Sequence, residues 1–278
     1  MNHNEQLPQI VQPGANCWRV ARAHRVTFLI DGDDYFSAFH ATVSQARHSV
    51  FLIGWDINSQ VELLRNGEPT NKLPRSLGSF LDAMAARRKD LKIYVLGWDF
   101  AMLYALDREF LPIYKLGWRT HRNLHFHLDD AHPFGASQHQ KIVVVDDAVA
   151  FVGGMDLTKG RWDTSEHRPD EPRRRNPDGE SYAPFHDVQL MVDGDAAAAM
   201  GQLARERWRR ATGKRTTETR LTEHDPWPVN VKPSLTESDI AIARTEPRYQ
   251  RFSLVQEVKQ LYLDAIKAAR RWIYLENQ

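Results

Sequence analysis

The sequence predicts an α/β fold, a mixed and largely parallel sheet flanked by helices. Three observations carry that expectation. Between Asp33 and Gly97 segments with apolar residues at helical spacing alternate twice with short apolar runs. Both runs end in glycine, at Gly54 and Gly97, where a strand would give way to a loop. With 42% hydrophobic and 26% charged residues over 278 positions, the chain has the balance of one large or two small globular domains and enough apolar mass for a buried core.

In chain order, Phe36, Phe39, Val43 and Ala46 mark a first helix, and Val50 to Gly54 a strand. Leu77, Phe80, Leu81 and Met84 mark a second helix, followed by a strand from Lys92 to Gly97. Such alternation is the pattern of layered α/β folds. Further strands are expected at Asn123 to Leu128, His139 to Val145, Val149 to Val152 and Asp187 to Val192, with helices covering both faces. From Asp163 to Ser181 the chain is rich in Pro, Arg, Asp and Glu without apolar periodicity, which predicts a long surface loop. A helix from Ala196 to Arg210 ends in the basic cluster Arg205, Arg207, Arg209, Arg210, Lys214 and Arg215, either a solvated face or a contact for an anion or anionic lipid.

Lys and Arg total 37 against 36 Asp and Glu, so the net charge of +1 supplies no field announcing nucleic acid, and no nucleic-acid partner is favoured. Cys17 is the only cysteine, which excludes an internal disulfide and any zinc site built on several thiolates. A reducing compartment fits that usage. No window approaches the roughly 18 apolar residues of a spanning helix, and the opening residues lack a basic stretch followed by an apolar one. A cytoplasmic location, or one on the cytoplasmic face of a membrane, is the expectation.

A repeat suggests duplication. AlaArgHisSerValPheLeu, from Ala46 to Leu52, matches AlaArgArgTrpIleTyrLeu, from Ala269 to Leu275. Each copy follows an amphipathic helix, the second with Val258, Leu261, Tyr262, Ala265 and Ile266 on its apolar face, and each is expected to form a strand. The expected organisation is an N-terminal extension over 1–24, a first half over 25–222, and a linker with the start of a second half over 223–278.

The chemistry concentrates in His139-x-Lys141-x4-Asp146, then six residues, then Gly153-Gly154. On a strand, residues two apart project from one face, which would set the imidazole beside the ammonium. That pair suits a phosphodiester. The ammonium holds a non-bridging oxygen, while the imidazole attacks phosphorus or shuttles a proton near neutral pH. The glycines let backbone approach a ligand closely.

At this point the chain resembles the phospholipase D superfamily, including its bacterial and cardiolipin-synthase-like members, whose signature is this His-x-Lys-x4-Asp motif with a following glycine pair. GGMDLTKGRWDTSEHR (Gly153 to Arg168), PFHDVQLMVDG (Pro184 to Gly194) and IYLENQ (Ile273 to Gln278) resemble further blocks of those enzymes in the same order. The resemblance implies two similar α/β halves that each donate one motif to a shared site. One histidine becomes a phosphohistidine, and the other is the general acid for the leaving alcohol. It implies a phosphodiesterase or phosphatidyltransferase cleaving the headgroup phosphodiester of glycerophospholipids, without an obligatory metal or other cofactor. His139 is then the nucleophile and Lys141 the phosphate clamp, and Gly153, Gly154 and Asp156 line the substrate. The chain departs from the pattern in holding one complete motif, and the spacing of its repeat would put a second histidine beyond Gln278. Truncation of a longer parent or pairing of two copies would each complete the site.

Asp146 lies seven residues from His139, so in a regular strand it faces the other way and caps the turn with Asp147. The candidate to orient the imidazole is Asp187, and the resemblance implies an acidic residue in that block for this task. Gly54-Trp55-Asp56 and Gly97-Trp98-Asp99 repeat a tripeptide at the ends of two strands, and Arg161-Trp162-Asp163 offers a third Trp-Asp. Trp55, Trp98 and Trp162 would wall a lipid or headgroup pocket, or simply close the core.

Three rivals stand beside this reading. His125, His127 and Asp129 alternate along one strand as in zinc hydrolases, although Asp130 follows where a further histidine would be needed. A nuclease or other phosphodiesterase of the same fold, working as a homodimer, would keep the motif. A non-catalytic interaction module would keep only the fold.

Overall fold

In a computed structural model the residues described are 10–66, 72–99, 121–217 and 224–276. The chain divides into two compact units: Ala23–Ala131 with Ser137–Ser238, and Met1–Arg22 with His132–Ala136 and Asp239–Gln278.

The first unit is built on a sheet. Its strands are β1 (Arg19–Ile30), β2 (Ser49–Gly54), β3 (Lys92–Trp98), β4 (Leu124–Asp129), β5 (Ile142–Val145), β6 (Val149–Gly153), β7 (Val188–Asp193) and β8 (Leu235–Ile242), in the spatial order β4-β3-β2-β5-β6-β7-β1-β8. Strand β1 begins before Ala23, and β8 ends after Ser238. The sheet is mixed. Of the pairings with a described register, β2-β3 and β3-β4 are parallel, while β2-β5, β5-β6, β6-β7 and β7-β1 are antiparallel. The cause is local. Asp146 and Asp147 both adopt positive φ, 54° and 53°, and fold β5 directly back into β6 without a crossover helix.

Helices α1 (Asp31–Val43) and α2 (Leu77–Arg87) bury Phe36, Phe39, Phe80 and Met84 in one core with Val50, Leu52, Ile93, Val95 and Phe151. The alternate strand residues look to the other face, where Phe51 stacks on Tyr94 and Tyr94 meets Trp208 of α3 (Gly194–Thr212). Period-two strands between helical layers thus fill both faces, as the pattern predicts.

Three sequence expectations are corrected. The basic cluster of α3 is neither a solvated face nor a free anion surface at its centre: Arg205 pairs with Asp147 at 2.6 Å, Arg207 with buried Asp129, and Arg209 and Arg210 with Glu206. The Asp163 to Ser181 segment is irregular but not wholly superficial. Arg174 is 1% exposed and donates to Asp163 and to the carbonyls of Arg168, Pro169 and Tyr182. The zinc reading of β4 fails too, because Asp129 is committed to Arg207, His127 contacts the Ala211 carbonyl at 3.1 Å, and His125 stacks on Tyr94.

The second unit carries the short ladder of β9 (Thr245–Glu246) and β10 (Val255–Gln256), then α4 (Glu257–Ala268), which Arg244 ties down by pairing with Glu257 at 2.6 Å. No residue of α4 is buried. The repeated segment at Ala269 to Leu275 is not a strand, contrary to expectation, and Trp272 and Tyr274 are 78% and 72% exposed. A strand needs neighbours for its backbone groups. The first copy finds them in β3 and β5, while the second has none among the described residues.

Candidate active site

Strand β5 begins at Ile142, not at His139, so His139 and Lys141 lie in the irregular approach to it. The register explains the boundary. Ile142 pairs with Ile53 on one side and Val152 on the other, and the next step brings Lys141 level with Gly54 and Gly153, where both neighbouring strands end.

Lys141 is 6% exposed and its Nζ lies 2.9 Å from Asp156 Oδ2, while Asp156 Oδ1 accepts the Trp55 N–H at 2.9 Å. Gly54 makes room for that carboxylate, since a Cβ there would stand 2.9 Å from Asp156 Oδ1. Burial pushes the Lys141 ammonium below its usual range and the Asp156 carboxyl above its own, so desolvation outweighs the mutual attraction that would move each the other way. Partial desolvation, then the charge of Lys141, lowers the His139 imidazole. An imidazole kept neutral is the form that attacks.

The two motif residues meet at Trp55. Its ring centroid is 5.7 Å from the exposed His139 ring and 5.9 Å from Lys141 Nζ, and its other side stacks on Trp98 at 5.6 Å. Trp162 is different: it is fully buried, donates from Nε1 to Asp33 at 3.2 Å, and carries the Arg65 and Arg173 guanidiniums over its ring, so it is core rather than pocket wall.

Asp146 stands at the opposite end of β5. Its carboxylate accepts the N–H groups of Arg47, His48 and Ser49 at 2.7, 2.7 and 2.8 Å, which commits it to the entry into β2. Gly153 and Gly154 also serve the scaffold. A Cβ on Gly153 would stand 2.3 Å from the Val188 carbonyl oxygen, and one on Gly154 2.2 Å from Asp187 Oδ1. Close approach is indeed their use, but what approaches is β7 and the Asp187 carboxylate. Asp187 accepts the Val188 N–H at 2.7 Å, and burial raises its pKa. Its charge acts on Lys141, with Arg161 in range of both; among the described residues no hydrogen bond joins it to the His139 ring.

Sequence reasoning assigned no role to the groups behind Asp187. Asp31 and Asp187 exchange backbone contacts: the Asp31 N–H donates to the Asp187 carbonyl at 2.9 Å, and the Asp187 N–H to Asp31 Oδ1 at 3.2 Å. Asp31 Oδ1 also lies 2.7 Å from His186 Nδ1. The available signal was the Asp163-x3-His167 spacing, which places His167 Nδ1 3.2 Å from Asp163 Oδ2. Although burial works against it, hydrogen bonds from Phe185 N–H, His167, Thr164 N–H and Arg174 hold the Asp163 carboxyl below its usual range.

The family model described as Phospholipase D matches residues 115–278, which include the His139 to Gly154 stretch. The chain belongs to the phospholipase D family. Among curated relatives of that family, Phospholipase D C of Dictyostelium discoideum is 28% identical over 208 residues, covering 66% of this chain and 12% of the relative. Phospholipase D alpha 1 of Vigna unguiculata is 24% identical over 324 residues, covering 88% of this chain and 38% of the relative. The chain thus spans well under half the length of these phospholipase D relatives. A solved phospholipase D family member, Nuc from Salmonella typhimurium, is 11% identical with a TM-score of 0.43, covering 69% of this chain and 99% of that one.

Proposed function

We propose that this chain is part of a phospholipase D-type phosphodiesterase that cleaves the headgroup phosphodiester of glycerophospholipids through a phosphorylated His139. The observation that carries the reading is the exposed His139 imidazole and the buried Lys141 ammonium meeting at Trp55. In this mechanism Lys141 holds a non-bridging oxygen, with Asp156 keeping the ammonium in place from below. His139 attacks phosphorus and the headgroup alcohol leaves with a proton from a second histidine. Water or another alcohol then displaces the phosphatidyl group. We assign the imidazole tautomer to Asp187, through a hydrogen bond that has to form as substrate binds, and Trp55 stacked on Trp98 forms an apolar wall beside the phosphate. The names of the relatives favour a lipid substrate over nucleic acid.

The second histidine comes from outside these residues, from a further half of the same protein or from a second copy, since the sequence holds one complete motif. On this reading 25–222 forms the first half and 223–278 the approach to the next. No helix among the described residues is long and apolar enough to cross a membrane, and we assign the lipid contact to peripheral binding.

A substrate that needs no proton donor tests the proposal. With phosphatidyl-p-nitrophenol, whose leaving group departs as a stable phenolate, the 278-residue chain should release a stoichiometric burst of phenolate that His139→Ala abolishes. Phosphatidylcholine, whose alkoxide needs the acid, should react about 10²- to 10⁴-fold more slowly. A full burst from His139→Ala would overturn the assignment.

A further inference from the structure

The geometry points to a binding site for one divalent transition-metal cation of the zinc class, formed by Asp31, His167 and His186 behind the Asp187 backbone. It stands independently of the role given to His139. One ligand atom from each residue lies within 4.8 Å of the other two. Zinc takes nitrogen and oxygen ligands at about 2.0–2.2 Å, which places neighbouring ligand atoms roughly 3–4 Å apart, so only a small contraction separates this cluster from a coordination sphere.

The hydrogen-bond network calls for a cation. His167 stands between two fully buried carboxylates, with Nδ1 3.2 Å from Asp163 Oδ2 and Nε2 3.3 Å from Asp31 Oδ2. Assigning the ring proton to Nδ1, where Asp163 accepts it, leaves a lone pair on Nε2 facing a carboxylate oxygen. That oxygen, Asp31 Oδ2, is buried and accepts no hydrogen bond. The Nε2 to Oδ2 approach therefore lacks the alignment of an imidazolium hydrogen bond, and a metal ion satisfies both atoms. His186 Nδ1, 2.7 Å from Asp31 Oδ1, supplies the second nitrogen, and the two rings stand edge to face at 85°.

The surroundings match a metal site. Asp163, held by Arg174 and by the Phe185 and Thr164 N–H groups, orients His167 through its far nitrogen, the usual carboxylate–histidine–metal relay. The His167 and His186 side chains are 32% and 43% exposed, which gives the ion an entry from solvent and leaves positions for water. Two imidazoles and one carboxylate favour zinc, cobalt or nickel over calcium or magnesium. A bound ion would join the β1–α1 junction, the Asp163 to Ser181 loop and the entry to β7, stiffening the backbone that presents Asp187.

The test is a titration of the chelator-treated 278-residue chain with Zn2+ alone, followed by calorimetry, and with Co2+, followed by visible absorption and histidine NMR. One equivalent should bind with a micromolar or tighter Kd. His167→Ala and His186→Gln should each weaken binding at least tenfold, while His125→Ala and His127→Ala leave it unchanged. Co2+ should shift or broaden the His167 and His186 imidazole resonances first, a readout that needs no variant to fold. Absence of saturable binding to the folded wild type would overturn the site. So would binding unaltered in both His167→Ala and His186→Gln, or paramagnetic effects confined to other histidines.

Discussion

Lys141 and Asp156 form a buried ion pair, Nζ to Oδ2 2.9 Å, in which each group is shifted toward its neutral form by burial. A carboxyl whose pKa is raised on folding weakens the fold once pH exceeds its unfolded value, and an ammonium whose pKa is lowered does so below its own. Both costs therefore apply at neutral pH, where they offset what the short ion pair adds to stability. Lys141→Met leaves the Asp156 carboxylate buried alone and should cost about 3 kcal/mol in urea denaturation. The double variant Lys141→Met with Asp156→Asn should recover most of that loss without recovering activity. A double variant less stable than the single one contradicts the account.

The lowered His139 pKa has a sign that can be checked. Removing the neighbouring ammonium makes protonation of the ring easier, so NMR titration of Lys141→Met should find the His139 pKa above that of the parent. An unchanged pKa on removing Lys141 would mean that the ring does not sense the ammonium.

The proposed mechanism assigns Asp146 to the scaffold and Asp187 to the site. Asp146→Ala removes the acceptor for three backbone N–H groups and should cost about 3 kcal/mol or more, at roughly 1–3 kcal/mol for each buried donor left unmet. Turnover per folded molecule should change little with Asp146→Asn. Asp187→Asn should show the reverse, near-parental stability and turnover reduced at least tenfold. Melting curves beside burst amplitudes and rates on the activated phospholipid distinguish the two, and interchange of the results would reverse the assignments.

Much of this was legible in the sequence, and the failures are specific. Alternating periodicity located α1, β2, α2 and β3 because each buries a full face. Parity set Asp146 apart from the imidazole on the premise of one regular strand, but His139 lies outside β5, and Asp146 sits in the turn beyond its far end, where it accepts the N–H groups of Arg47, His48 and Ser49. The strand β1 went unread: it presents alternate exposed residues such as Val20, Phe28 and Ile30 and pairs with β7 from far along the chain, a contact that no local pattern encodes. Trp162 shares its Trp-Asp signature with Trp55, but burial under two arginines distinguishes it, and burial is a tertiary property. The Asp31, His167 and His186 cluster draws on three distant segments for the same reason.

Gly154→Ala tests whether Asp187 needs its present position. A Cβ 2.2 Å from Asp187 Oδ1 must displace the carboxylate, so turnover should fall at least tenfold while the melting temperature drops only modestly. Full activity in that variant would show that the carboxylate does no positioning.

The proposed nucleophilic role of His139 is tested most directly by acid-free rapid quench of the chain with phosphatidyl-p-nitrophenol, followed by peptide mass spectrometry. The account predicts a phosphatidyl adduct on His139, formed at the rate of the phenolate burst and absent from His139→Ala. An adduct on any other residue, or a burst at the parental rate with no adduct on His139, would contradict it.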